Sequence, residues 1–417
     1  MNRRHFLATT GAVAVHAIPS WHGLAAAADA TPVTKGKTLV VVFLRGGIDG
    51  LNLIVPFGDE AYYRHRRTIA IARPGASQGA LDLDGFFGLH PSAAALKPLF
   101  DDGSCLALQA VGYAQNTRSH FEEQDTWETG VVGNSLSADG WLNRHLASTT
   151  GHGVIRAVAI GGNLPRILRG KAPAYAIRGV DDLAMPKTAA DPEAIRAALE
   201  HAYCTKPDAG TLAARQLAAQ TAAATLEGTR QLEAVARAGY QPAHGAKYPA
   251  TTVATQFREA ARLIKAGLGT EIIQIDNGGW DSHNAQGGAT GTYANRLRDL
   301  TEAIAVFRRD MGDAMNDTLI LTLSDFGRTV RENGTTGTDH GWANCMLAVG
   351  GGLAKPGKPV IGDWPGLAEE QLQQGRDLRH TTDFRDVLVE TATRHLGNPH
   401  ADRLMPGHEF KPVGLLG

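Results

Sequence analysis

The chain has 417 residues, with 41 Lys and Arg against 42 Asp and Glu. That length is ample for a large core, read as one α/β domain with an insertion, two domains being the alternative. The formal charge of −1 excludes an electrostatic case for nucleic acid or an anionic membrane surface as partner.

Arg3-Arg4-His5-Phe6-Leu7 opens the chain, a modestly apolar stretch to Pro19 follows, and small residues crowd Ala25 to Ala30. This is a charged n-region, an h-region and an A-x-A cleavage site in order. Thr9, Thr10, Gly11 and His16 keep the h-region only weakly hydrophobic. That favours a twin-arginine signal over an ordinary secretory one, an address read by a receptor rather than an anchor. Residues 1–30 are read as this signal, cut after Ala28 or Ala30, with residues 31–417 as the exported, periplasmic or secreted domain. The twin-arginine translocase would be a partner during export. Loss of Arg3, Arg4 and Asp29 takes the formal charge from −1 to −2. No later segment reaches the ~18 apolar residues of a membrane span, so no stable span is expected after cleavage; an uncut signal would act as a tether.

Apolar runs then recur along the chain: Thr38 to Leu44, Cys105 to Val111, Ile155 to Ile160, Glu271 to Ile275, Thr318 to Leu323 and Cys345 to Val349. Runs this short and this continuous predict strands covered on both faces. Helical patterns alternate with them, beginning at Phe121 and spanning Thr252 to Ala266, Tyr293 to Met315 and Thr382 to Leu396, the last opened by a capping Thr and Asp. The alternation predicts a three-layer α/β sandwich with a mainly parallel central sheet. Residues 191–240 are rich in Ala, Gln and Glu and predict a helical insertion, read as a hairpin packed on the domain. Cys105, Cys204 and Cys345 form no Cys-x-x-Cys pair; Cys105 and Cys345 sit in strand-like runs and read as core.

Four motifs follow expected strand ends, where sites form in open α/β sheets. Arg45-Gly46-Gly47-Ile48-Asp49 offers a carboxylate, equally a metal ligand or a turn cap. Arg118-Ser119-His120 leads into a helix; Ser119 would cap it, or attack phosphorus or sulfur beside a metal, with Arg118 gripping an oxyanion. Gly279-Trp280-Asp281-Ser282-His283 brings a carboxylate and an imidazole to one glycine-rich loop, a donor set suited to zinc, manganese or iron. Ser324-Asp325-Phe326-Gly327-Arg328 and Asp339-His340 follow a single strand.

Taken together, FLRGGIDGLN, RSHFEEQDTWETG, GGWDSHNAQ and SDFGRTVRENGTTGTDHG behind a twin-arginine signal resemble the bacterial family named domain of unknown function 1501. That family in turn resembles a distant branch of the alkaline phosphatase and sulfatase superfamily. The resemblance implies an alkaline-phosphatase-like fold, with Asp49, Asp281, His283, Asp325, Asp339 and His340 holding one or two divalent ions, zinc or manganese. It implies Ser119 as nucleophile and Arg118 or Arg328 steadying the oxyanion. The substrate would be a phosphate or sulfate ester, small or polymer-borne. Two features depart from the superfamily pattern. The Asp-x-His spacing of Asp281 and His283 is narrower, and Phe326 stands where a histidine ligand is expected. A second alignment makes Asp339-His340 that pair and His380 the late ligand. The Phe326 departure supports an alternative reading, a binding or assembly protein on the same scaffold with catalysis lost.

Overall fold

Thr38-Leu39-Val40-Val41-Val42-Phe43-Leu44 is apolar and largely β-branched, and it forms the strand around which the molecule is built. The computed structural model describes residues 31–32, 36–133, 138–151, 153–183, 192–203, 213–355 and 357–417. The expected signal, its cleavage site and Cys204 lie outside these residues.

Among the described residues, nine strands make the central sheet: β1 (Thr38–Arg45), β2 (Cys105–Gly112), β3 (Ala157–Ile160), β4 (Tyr175–Ile177), β5 (Ile272–Gly278), β6 (Thr318–Ser324), β7 (Asn344–Gly350), β8 (Val360–Ile361) and β9 (Thr382–Asp383). Their order is β8-β2-β7-β6-β1-β5-β3-β4, with β9 also pairing with β2. All pairings are parallel except those of β7, which runs antiparallel to β6 and β2. The sheet is therefore mainly parallel, as the alternation of strands and helices predicts.

Helices cover both faces. The longer ones are α1 (His120–Thr129), α2 (Trp141–Ser148), α3 (Pro192–Tyr203), α4 (Ala213–Ala238), α5 (Thr252–Lys265), α6 (Thr292–Met311) and α7 (Phe384–Glu390). Alternate residues of β1 feed two separate cores. Val40, Val42 and Leu44 pack with Phe257 of α5 and with Leu297 and Phe307 of α6. Leu39, Val41 and Phe43 pack with Trp127 of α1, Trp141 of α2 and Phe384 of α7. A strand buried on both faces shows no polar alternation, which is why its run reads as continuous. The result is a three-layer α/β/α sandwich.

Some bounds differ from expectation for local reasons. α1 begins at His120, so the histidine belongs to the helix rather than the loop. The helix expected to reach Met315 ends at Met311, because Gly312 takes φ of 53° and the chain continues as a 3₁₀ turn. Asp383 caps α7 by accepting from Arg385 N, while Thr382 belongs to β9. β4 is three residues long, too short for its period to show in sequence. Residues 192–203 and 213–238 are helical, as their composition predicts. Cys105 and Cys345 are buried free thiols. No helix among the described residues is long and apolar enough to cross a membrane.

Candidate metal centre

β1, β5 and β6 end side by side, with Gly278 opposite Arg45 and Ser324 opposite Leu44. The loops that leave them start from one edge of the sheet, the carboxyl edge. Gly46 and Gly47 turn the chain there with φ of 118° and 75°, and their N–H groups donate to Asp325 Oδ1 at 2.9 and 3.2 Å. A Cβ on Gly46 would lie 2.6 Å from Asp281 N, and one on Gly47 2.7 Å from the Phe326 ring. Only glycine permits that approach. Trp280, fully buried, pins the next loop, and Gln286 ties it down by donating to Asp49 Oδ2 while accepting from Ser282 and Thr338.

The loops converge on the Asp281 carboxylate. Its Oδ1 lies 2.8 Å from Arg328 Nη1, 2.9 Å from His283 Nε2 and 3.2 Å from His340 Nε2. Its Oδ2 lies 3.5 Å from His120 Nε2. His283 Nε2 and His340 Nε2 are 3.0 Å apart. His120, Asp281 and His340 each offer one ligand atom within 4.8 Å of the others. Phe326, fully buried, packs against two of the imidazoles, its ring centroid 4.7 Å from both His120 and His340, which are themselves in edge contact at 4.3 Å.

The opposite edge of each ring is already committed. His120 Nδ1 faces Asp325 Oδ2 at 2.7 Å, His283 Nδ1 faces Asp339 Oδ1 at 2.8 Å, and His340 Nδ1 faces the Arg118 carbonyl at 2.9 Å. These partners only accept, so each Nδ1 donates a proton to them, and the Nε2 of each ring is the nitrogen free to present a lone pair to a metal. Three lone pairs and a carboxylate thus point at one another. His120 Nε2 is also buried with no hydrogen-bond partner. Arg328 compensates the carboxylate, but facing ring lone pairs repel one another unless a cation or a proton lies between them. Tetrahedral coordination with bonds of about 2.0–2.1 Å separates ligand atoms by about 3.3 Å, close to the spacings seen here. Fixing the distal nitrogen of each ring is also how protein metal sites set imidazole orientation. His120, Asp281 and His340 fit a divalent metal, and His283 Nε2 lies beside two of them.

Electrostatics agree with the hydrogen bonding. Burial works to raise both Asp281 and Asp325, yet each is held below its ordinary range, Asp281 by Arg328 and the neighbouring histidines, Asp325 by His120, Gln124 and the Gly46 N–H. Hydrogen bonding to Asp325 raises His120, whereas burial lowers His340.

The residues singled out from sequence take different places. Asp281, His283 and His340 meet. Asp49 does not join them: its carboxylate is fully buried against Arg66 Nη1 at 2.6 Å and Gln286 Nε2 at 2.5 Å. Asp325 and Asp339 stand behind His120 and His283 as their orienting carboxylates. The Arg118 guanidinium is held by Asp377 and Gln374, and only its carbonyl addresses the cluster. Arg328 is buried and donates to Asp281, Gly46 O and Thr338, so it orients a carboxylate instead of presenting itself to an oxyanion. Ser119 is the N-cap residue of α1 by position, but its hydroxyl makes no capping bond. His380 stands outside the cluster. The residue missed is His120. Its signal was Gln124 four residues later, on the same helix face, since both side chains grip Asp325 Oδ2.

The family model described as "Protein of unknown function (DUF1501)" matches residues 103–409. The chain belongs to this family. The matched span of this DUF1501 protein contains His120, Asp281, His283 and His340. Steryl-sulfatase of Rattus norvegicus is 27% identical over 135 residues, which is 30% of this chain and 22% of the enzyme, so the match spans about a fifth of that relative's length. Among solved structures, the C-terminal periplasmic domain of EcEptC from Escherichia coli aligns over 92% of this chain and 91% of its own, with 9% identity and a TM-score of 0.40. PsFucS1 sulfatase from Pseudoalteromonas sp. aligns over 92% and 73%, with 14% identity and a TM-score of 0.36.

Proposed function

We propose that this protein is an exported, metal-dependent hydrolase of phosphate or sulfate esters. One observation carries the reading: three imidazole lone pairs and the Asp281 carboxylate converge while every distal ring nitrogen is already hydrogen-bonded. Asp281, His283, His340 and His120 would hold the metal, zinc or manganese by their donor chemistry. A divalent ion bound there supplies Lewis acidity, positive charge opposite a phosphoryl or sulfuryl oxygen. The sequence resemblance to the alkaline phosphatase and sulfatase superfamily supports the same reaction class, and the twin-arginine motif supports export.

The chain's own groups have separate tasks in this reading. Ser119 precedes His120 and sits at the positive end of α1, which favours an ionised hydroxyl. Its oxygen, having lost its proton to solvent, would attack the phosphorus or sulfur atom as the bond to the ester oxygen breaks and the alcohol leaves, and water would then release phosphate or sulfate from the serine. Arg376 takes the part sequence had given to Arg118 and Arg328. Its side chain is 43% exposed; Nη2 donates to the His340 carbonyl at 2.7 Å and Nη1 lies 3.7 Å from the Asp377 carboxylate, and the remaining N–H groups would address a substrate oxyanion. Arg328 and Asp325 position ligands and do not touch substrate.

The test uses protein purified without added metal. Stoichiometric zinc or manganese by elemental analysis, turnover of aryl phosphates or sulfates, and collapse of kcat in Ser119→Ala with the fold retained are the expected results. Absence of both metal and turnover would overturn the proposal. A second reading, a binding protein that has lost catalysis, draws on Phe326, which puts an inert ring where the superfamily pattern has a ligand. It predicts bound metal without turnover, and a Ser119→Ala protein indistinguishable from the parent.

A further inference from the structure

Arg118 has a left-handed backbone, at φ of 61°. That conformation crowds Cβ against the following carbonyl oxygen and is uncommon for a long side chain. In it the Arg118 N–H donates to Asn116 Oδ1 at 2.8 Å, and the carbonyl accepts from His340 Nδ1 at 2.9 Å. The side chain is gripped at the same time. Nε and Nη2 donate to Asp377 Oδ2 at 2.8 and 2.6 Å, and Nη2 also donates to Gln374 Oε1 at 2.8 Å. The guanidinium lies over the Trp342 ring, 4.9 Å from its centroid. Asp377 is fully buried, so its charge depends on this pairing. Backbone outliers persist where the surroundings over-determine them, and here the grip on the guanidinium offsets the cost of the backbone.

Asp377 closes a tight turn that carries Arg376. Within residues 373–377, Gln373 N donates to the Asp377 carbonyl at 2.8 Å and Asp377 N to the Gln373 carbonyl at 3.1 Å. Arg376 Nη2 donates to the His340 carbonyl at 2.7 Å. A ring of contacts is thereby closed. The His340 imidazole rests on the Arg118 carbonyl, the Arg118 guanidinium on Asp377, and Arg376, next to Asp377 in the chain, on the His340 carbonyl. Arg376 Nη1 is already 3.7 Å from the Asp377 oxygen that Arg118 neutralises. Without Arg118, that buried carboxylate would draw the Arg376 guanidinium off the His340 carbonyl.

We infer that Arg118 is a positioning residue with two outputs. Its carbonyl holds the His340 ring with Nε2 toward the cluster. Its guanidinium occupies Asp377 and so leaves Arg376 beside His340, where it can receive the anion of a substrate. The first output needs only the metal centre; the second rests on the hydrolase reading.

The experiment reads the two outputs separately, with the melting temperature as a check on folding. For the carbonyl, Arg118→Gly/Asp377→Asn is compared with Arg118→Ala/Asp377→Asn, pairs that leave no carboxylate buried without its cation. Glycine keeps the left-handed backbone without its side chain's grip, whereas alanine relaxes to negative φ and carries the carbonyl away from His340. Zinc affinity, by competition with a chromophoric chelator, should match the parent in the glycine pair and fall about tenfold or more in the alanine pair. A general loss of stability would not favour glycine over alanine. For the guanidinium, calorimetry measures inorganic phosphate and sulfate on the zinc-loaded protein. Arg118→Gly alone should weaken the anion by about tenfold or more, and adding Asp377→Asn should restore it, because no carboxylate then competes for Arg376. Equal zinc affinity in the two pairs would overturn the inference. Anion affinity untouched by Arg118→Gly, or lost and not restored by Asp377→Asn, would do the same. Zinc affinity ordered glycine above alanine, with neither anion bound and no aryl ester turned over by the wild type, upholds the hold on His340 and defeats the hydrolase reading; ester turnover with equal zinc affinities does the reverse.

Discussion

His283 Nε2 and His340 Nε2 face each other across 3.0 Å while their Nδ1 atoms are bound to Asp339 and to the Arg118 carbonyl. Neither ring can turn its proton inward without breaking the hydrogen bond behind it. The protein spends folding energy to hold two lone pairs together, and a cation is the natural recipient of that arrangement.

Chelation is therefore expected to lower the melting temperature. A metal at a thousand times its Kd stabilises by about 4 kcal/mol, and the increment should vanish in His283→Ala. Differential scanning calorimetry with and without chelator reads both. An increment that survives in His283→Ala would place the metal elsewhere.

Asp325 and Asp339 are predicted to differ in weight. Asp325 is fully buried and receives His120, Gln124, Gly46 N and Gly47 N. In Asp325→Asn the amide nitrogen must face at least one of those donors. Asp339 has a half-exposed side chain that solvent can replace. We expect metal affinity to fall on the order of 100-fold in Asp325→Asn and roughly 10-fold in Asp339→Asn, measured by competition with a chromophoric chelator.

Arg66→Met should destabilise by about 3–5 kcal/mol, because it leaves the buried Asp49 carboxylate without its cation, held by the Gln286 amide alone. Metal content of the folded fraction should stay at the parental level. Urea denaturation with elemental analysis separates this from the sequence-level expectation for Asp49, under which Asp49→Asn would remove metal and spare stability.

Acid should unfold the protein partly through His90 and His395. Burial holds both down to about 4, from 6.5. Above pH 6.5 neither state binds the proton. Between 6.5 and about 4 the unfolded chain takes it up and the native state does not, so stability falls as pH falls. Each contributes on the order of 3 kcal/mol across that window. His90 Nδ1 accepts from Ser92 N, a bond that protonation would break. Denaturant titrations at pH 7 and pH 4.5 should show a smaller difference in His395→Gln than in the parent.

Much of the scaffold was legible because its signals are local. Thr38 to Leu44 reads as a doubly covered strand from seven consecutive residues. Asp281, His283 and His340 stood out as donors in glycine-rich loops after strands. Their partners were not legible in the same way. Asp325 and Asp339 have the chemistry of ligands, and nothing in the sequence says that each stands one atom behind an imidazole.

Sequence by itself determined the sheet, the edge at which the loops gather and the kinds of donor they carry, since apolar period and residue type are properties of short segments. Tertiary structure decided which donors meet. His120 reaches Asp325 across 205 positions, and Gln286 reaches Asp49 across 237. Whether a carboxylate binds a metal, orients a histidine or neutralises a buried arginine depends on which neighbour arrives from a distant strand. For Asp49 that neighbour is Arg66, itself anchored on Thr329 and Val330, so the role of the carboxylate is settled only when the sheet has closed.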